Sequence, residues 1–286
     1  MSTLLVIFAH PDDEGGASGV MALAAAAGAR VVLACATRGE VGEISDPALA
    51  TAETLGAVRE QELRAACEIL GAELRFLGYR DSGMAGTPAN EDPRSYLQAD
   101  PEAAVRQLVT LIREIRPQIV ITFDPSGGYG HPDHVTVHRH ATTAFDLAGD
   151  AAAFADAGPA WRPQRLLYAV LPRTWFLELR DLMEKAGLDT AFIDQFLAQD
   201  SDFVDGDITH QVDVRDQIDA KIAALRCHHT QFGPEHPLAR LPEEMMRDWM
   251  ATEFFIQARP SPPATAGIVT VDDLFEPLEG WEPAGG

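Results

Sequence analysis

An unbroken apolar run, LLVIFA (4–9), stands near the start of the chain and is followed at once by HPDDEGG (10–16). A run this short and continuous predicts a strand buried on both faces, as in a parallel sheet. SGVMALAAAAGA (18–29) is alanine-rich and reaches Gly28, which reads as a helix with a glycine stop. VVLACAT (31–37) is a second buried strand. Leu55, Val58, Leu63, Ala66, Ile69 and Leu70 recur near helical spacing over 54–70, and Gly71 ends that helix. LRFLG (74–78) is a short third strand. A long loop, RDSGMAGTPANEDPRSYLQAD (80–100), follows, and loops of this length inside a domain are often functional. Asp100 and Pro101 then read as an N-cap and first-turn proline. The helix they begin carries Val105, Leu108, Val109, Ile112 and Ile115 on one face and stops before Pro117. QIVITF (118–123) and LLYAVL (166–171) are further strands, with a helix over 132–147 between them.

Strands alternating with helices predict an α/β fold, a Rossmann-like, mostly parallel sheet flanked by helices. Ligands of such sheets gather beyond the carboxyl ends of the strands. From about residue 172 the pattern weakens to helices over 174–186 and 215–228, strand-like patches and a proline-rich turn, ARPSPPATAG (258–267). The expectation is one domain over 1–286. Its core spans 1–171, and a smaller mixed C-terminal portion, 172–286, packs on it and forms the rim and cover of a pocket.

Composition narrows the partners. The 286 residues are 46% hydrophobic, enough for a sizeable core, and carry a net charge of −22 with the acids dispersed. That balance describes a strongly hydrated surface and argues against nucleic acid as the main partner. The three cysteines, Cys35, Cys67 and Cys227, lack metal-type spacing, which favours free thiols in a reducing cytoplasm. LLVIFA is too short for a signal core or a membrane span, so no membrane partner is expected. Self-association into a homo-oligomer is left open.

Two stretches carry the chemistry, and each lies just past a predicted parallel strand: HPDDE (10–14) and DPSGGYGHPDH (124–134). Two central strands of a doubly wound sheet deliver their ends to one crevice. A catalytic zinc site wants three nitrogen or oxygen ligands and one open position, a set that His10, Asp13 and His134 supply. Pro11 and Pro132 stiffen the turns after the two histidines His10 and His131. Asp12 is left beside the site. The plainer reading of HPDDE is a turn whose aspartate caps the next helix. A rival ligand pair, His134 with His138, has helical i, i+4 spacing but no intervening glutamate of the H-E-x-x-H kind. GGASG (15–19) lacks the G-x-G-x-x-G pattern, and its glycines read as easing close packing at the helix start. Cys35 and Cys67 fall inside predicted elements as core residues, and His228 and His229 read as structural histidines.

HPDDE followed by HPDH resembles the PIG-L/LmbE-like family of zinc-dependent N-acetylglucosaminyl deacetylases. GGYGHPDH and RDSGM resemble its mycothiol-pathway deacetylase branch in particular. The resemblance covers residues 3–150 well, with a fainter echo in KIAALRCHHTQ (221–231). It implies His10, Asp13 and His134 as ligands of zinc, with ferrous iron also accepted by such a donor set. It implies Asp12 as general base on a metal-activated water, His131 as oxyanion donor or acid, and Tyr129 as an aid in polarising the amide carbonyl. Contacts to the sugar would come from Glu43, Arg59, Asp81 and Met84. Arg59 and Asp81 also admit plainer readings, as a helix-surface arginine and a turn cap.

The activity so implied is removal of acetyl from an N-acetylated amino sugar conjugate, a small molecule of the GlcNAc-inositol type. Two alternatives stand beside it. One is a mycothiol-type thiol S-conjugate amidase, a branch that carries a lysine shortly after HPDDE where Ala17 stands here. The other is a non-catalytic, metal-stabilised sugar-binding protein.

Overall fold

The computed structural model describes residues 2–198, 207–234, 236–261, 267–280 and 282, so residues 262–266 of the proline-rich turn lie outside the described residues. Eight strands form one sheet: β1 (Thr3–Phe8), β2 (Arg30–Cys35), β3 (Ala72–Phe76), β4 (Ile119–Phe123), β5 (Arg165–Val170), β6 (His210–Asp213), β7 (Thr252–Arg259) and β8 (Gly267–Val269). Their order is β3-β2-β1-β4-β5-β7-β6-β8. The first five are parallel, β7 runs antiparallel to β5 and β6, and β8 is parallel to β6. The expected Rossmann-like, mostly parallel sheet is therefore present.

Every residue of β1 and of β4 is buried, which is why both read as continuous apolar runs. From β1 the chain steps outward through β2 to β3, then returns to β4 on the other side and continues to β5. The ends of β1 and β4 thus meet where the strand order reverses, the crevice in which such sheets bind ligands. HPDDE and DPSGGYGHPDH leave the sheet at these two ends.

The helices obey the local signals. Pro101–Ile115 begins with Asp100 Oδ1 accepting from the Ala103 N–H at 2.8 Å and buries Val105, Leu108, Val109 and Ile112. Leu55–Leu70 stops at Gly71 as expected. Ser18–Ala26 is capped from afar: Glu253 on β7 accepts from the Gly19 and Val20 N–H groups at 2.7 and 2.9 Å. A Cβ on Gly19 would lie 2.6 Å from Val214 Cβ, so close packing does explain that glycine.

The C-terminal third differs from a simple cover, because β6, β7 and β8 extend the sheet itself. Around them Leu179, Met183, Ile218, Ile222, Met246 and Trp249 belong to a second apolar cluster beside the main core. The helix expected over 215–228 is shorter, a turn at Arg215–Gln217 followed by Ile218–Leu225.

Candidate active site

Asp12 adopts φ 101° and ψ −22°, a left-handed conformation that costs a non-glycine residue roughly 1–3 kcal/mol. The turn is held by hydrogen bonds inside the motif. The His10 N–H donates to Asp13 Oδ2 at 2.6 Å and the Asp12 N–H to Glu14 Oε2 at 2.9 Å. No HPDDE carboxylate caps a helix through its side chain, so the plainer reading of the motif does not describe it. The fold-back brings His10 and Asp13 to one point, where His134 arrives from the first turn of the helix Pro132–Ala148.

Three donors meet there. His10 Nδ1 is 3.1 Å from His134 Nε2 and 3.4 Å from Asp13 Oδ2, and Asp13 Oδ1 is 3.3 Å from His134 Nε2. Tetrahedral coordination with bonds of about 2.0–2.1 Å sets ligand atoms about 3.3 Å apart. The donor triangle, closed through the two oxygens of Asp13, therefore has the ligand-to-ligand spacing of a four-coordinate site. The rings are aimed from behind. His134 Nδ1 donates to the Gly127 carbonyl at 3.0 Å, which leaves Nε2 to face the other two donors. His10 Nε2 lies 3.2 Å from Asp133 Oδ2 and 3.4 Å from Asp81 Oδ1, which leaves Nδ1 for the triangle. Gly127, at φ 66°, must lack a side chain, since a Cβ there would sit 2.7 Å from the His134 Cβ.

Electrostatics point the same way. Burial alone would depress the His10 pKa, yet Asp13, Asp133 and Asp81 outweigh it and raise it well above the usual range. Burial would raise Asp13, but His134 and His10 hold its carboxyl well below the usual range. The cluster draws positive charge inward, and its two imidazoles and one carboxylate fit a divalent cation.

Other groupings are possible on distance alone: His10, His131 and His134 each offer a donor within 4.8 Å of the others, as do His10, Asp81 and Asp133. Asp133 is already engaged. It is fully buried and accepts from the Ser82 N–H at 2.9 Å and from the Ser82 hydroxyl. Such carboxylates orient a ligating histidine. Asp133→Asn should lower metal affinity about 10–100-fold. Competition with a fluorescent chelator measures it, and unchanged affinity would remove Asp133 from that role. The rival His138 is turned away, with Nδ1 on the Phe123 carbonyl at 2.9 Å.

Asp12 lies outside the triangle. Burial pushes its carboxyl up to about 6, against the pull of Arg59, whose guanidinium is 3.2 Å away. Arg59 is buried; its Nη2 also reaches the Pro11 carbonyl at 2.6 Å and its Nη1 the Gly39 carbonyl at 3.1 Å. Its fork is thus aimed at the Asp12 turn. His131 caps the helix Pro132–Ala148, its Nδ1 accepting from the Asp133 N–H at 3.1 Å, which puts the ring proton on Nε2. Burial, then the neighbouring His10 and His134, bring its pKa down to about 4, so the ring is neutral. Tyr129 is half-exposed, edge-on to His134 with ring centroids 5.0 Å apart.

The expected sugar contacts scatter. Asp81 is buried and accepts from the Gly83 and Val41 N–H groups at 2.8 and 3.2 Å, so it both stiffens the turn and faces His10. Met84 and Glu43 are exposed on loops beyond the donor cluster.

Sequence reasoning missed the reach of HHTQ (228–231). His228 Nε2 meets Glu14 Oε1 at 2.5 Å, and Glu14 in turn holds the Asp12 N–H. Thr230 donates its N–H and hydroxyl to Glu62 at 2.8 and 2.6 Å, and Gln231 Nε2 reaches the Glu43 carbonyl at 2.9 Å. One short segment so ties the Asp12 turn, the Arg59 helix and the Glu43 loop together. The available signal was a polar HHTQ two residues after the apolar IAAL of a helix. A cavity of about 380 Å³ opens at Asp13, His134 and Tyr129 and runs beneath the C-terminal third.

Comparison with known proteins gives this geometry a context. The family PIG-L: GlcNAc-PI de-N-acetylase matches residues 5–145. A 1D-myo-inositol 2-acetamido-2-deoxy-alpha-D-glucopyranoside deacetylase of Geodermatophilus obscurus is 40% identical, covering 97% of this chain and 98% of its own. A protein of the same name from Acidothermus cellulolyticus is 41% identical over 96% and 94%. Among solved structures, a conserved protein from Thermus thermophilus superposes with a TM-score of 0.61 at 26% identity, covering 93% of this chain and 98% of that one. Among the described residues no helix is long and apolar enough to cross a membrane. With full-length relatives at this level of identity and both histidine motifs inside the matched region, the chain belongs to the PIG-L deacetylase family.

Proposed function

We propose that this chain is a zinc-dependent hydrolase that removes acetyl from N-acetylglucosamine joined to inositol, or a close relative of that conjugate, working in the cytoplasm as one domain. The observation that carries the reading is a set of three donors at tetrahedral spacing with a half-buried carboxylate, Asp12, beside it and not in it. The names of relatives at 40 and 41% identity support the substrate class.

His10 Nδ1, Asp13 and His134 Nε2 would hold the cation. When bound, it supplies Lewis-acid chemistry, polarising an amide carbonyl and acidifying water to a pKa of about 7. Asp12 accepts the proton that water gives up, and Arg59 holds that carboxylate in place. His131, neutral with its proton on Nε2, donates to the negative charge that develops on the amide oxygen, and the Tyr129 hydroxyl assists. Glu43, Asp81 and Met84 border the sugar. Arg59, buried with its fork on Asp12, Pro11 and Gly39, would act on the sugar's surroundings through the Asp12 turn.

The amidase alternative loses support at Ala17, which is buried and offers no basic side chain. The test is free-amine release from N-acetylglucosaminyl-inositol. A chelator should suppress turnover at least about 100-fold, since such a metal contributes several kcal/mol to the barrier, and zinc should restore it. Sugar binding without any amine release would sink the enzyme reading and leave the sugar-binding one.

A further inference from the structure

We infer that the site hydrolyses N-acyl groups longer than acetyl, with straight-chain and aromatic acyl groups seated in the apolar cavity beneath the C-terminal third. This rests on the deacetylase reading and extends it to the acyl side of the substrate.

The cavity begins at Asp13 and His134, and its far wall is Trp175, Phe176, Leu225, Phe232, Leu238 and Trp249. Trp175 and Trp249 stack with ring centroids 3.9 Å apart, and the Trp249 Nε1–H is engaged by the Trp175 carbonyl at 3.0 Å. The charged groups along the wall answer one another. Lys221 Nζ meets Glu253 Oε1 at 2.7 Å, and Glu253 also takes the Gly19 and Val20 N–H groups. Asp124 accepts from the Ser126 hydroxyl at 2.7 Å and the Gly128 N–H at 2.8 Å. Glu43, Arg59, Asp81 and Met84, the residues placed against the sugar, are absent from this wall.

An amide held at the donor triangle has two substituents to place. A polyol in the aromatic cavity would leave buried hydroxyls without partners, which is unfavourable. An acyl chain meets no such penalty. A methyl group is about the size of a water, whose share of liquid volume is roughly 30 Å³, so acetyl would leave most of about 380 Å³ unfilled. The reaction is unchanged in kind. Water adds across the amide, the C–N bond breaks, the hydroxyl goes to the acyl carbon and a proton to the nitrogen. The acid so formed gives its proton to the amine, and the products are a carboxylate and an ammonium.

Each buried methylene can raise kcat/KM up to about fourfold. In a series of glucosaminyl-inositol amides carrying acetyl, butyryl, hexanoyl and benzoyl, amine release from the hexanoyl compound should exceed that from acetyl at least about tenfold. Leu238→Trp, which fills the wall, should cut that ratio by about tenfold. Independently of turnover, hexanoate should change tryptophan fluorescence of the wild-type enzyme at concentrations at least about tenfold below acetate. Turnover that stays level or falls from acetyl to hexanoyl, with equal fluorescence responses to the two acids, would overturn the inference and leave the deacetylase reading standing. No amine from any member would overturn both.

Discussion

Asp12→Asn is expected to lower kcat by about 10²–10⁴-fold, the range contributed by a positioned general base, while the protein keeps its metal. The substitution preserves volume and shape, and Asp12 makes none of the three contacts of the donor triangle. What it removes is a carboxylate that burial has pushed up to about 6, near the pH at which a base is both free and able to hold a proton. Arg59 then faces an amide in place of a charge, at 3.2 Å. Burial of an unmatched guanidinium also destabilises, so stability is to be measured beside activity. Metal content by atomic emission, kcat by amine release and Tm by calorimetry separate the three effects. Loss of metal together with loss of turnover would make Asp12 a ligand. Turnover within about threefold of wild type would remove it from the chemistry.

The halves of the site were legible because each is local. His10 and Asp13 lie three residues apart after β1, His134 lies just past β4, and the burial of those strands writes itself as LLVIF and IVITF. Given a parallel sheet, strand ends at the order reversal must meet. What the sequence withheld is aim. Nothing in VREQEL says that Arg59 turns inward to the Asp12 turn, and nothing in HPDH says that Asp133 reaches the far nitrogen of His10. Those are orientations, fixed by packing and not by spacing.

The C-terminal third was poorly legible for reasons the strands make plain. β6 has four residues and β8 three, too few to display a period. In β7, TEFFIQAR, the residues that turn inward are Glu253, Phe255 and Gln257, while Phe254 and Ile256 face the half-buried side. The hydrophobic alternation therefore points to the wrong face. Glu253 is tolerated inside because Lys221 and two helix N–H groups answer it. Pairings across long stretches of chain leave no mark in either partner's neighbourhood, and one of them joins Glu14 to His228.

That pair sets the second large expectation. His228→Ala should destabilise the protein by about 3–5 kcal/mol, the usual result of leaving one partner of a buried ion pair alone. For a chain of this size that is a fall of about 5–8 °C in Tm. His228 is fully buried and Glu14 nearly so, with 2.5 Å between them. Burial would lower the His228 pKa, but Glu14, Asp12 and Glu62 outweigh it and raise it, which favours the charged ring beside Glu14. The consequence reaches the chemistry through Glu14 Oε2, which holds the N–H of left-handed Asp12. With Glu14 unanchored, the turn relaxes, and kcat should fall at least about tenfold while KM changes little, because neither residue borders the cavity. Glu14→Gln in the His228→Ala background removes the stranded charge and should recover about half of the lost stability, a coupling that a double-mutant cycle reads directly. If the two losses simply add, the pair is not an interacting unit. If stability drops while kcat holds, His228 supports the fold without positioning Asp12.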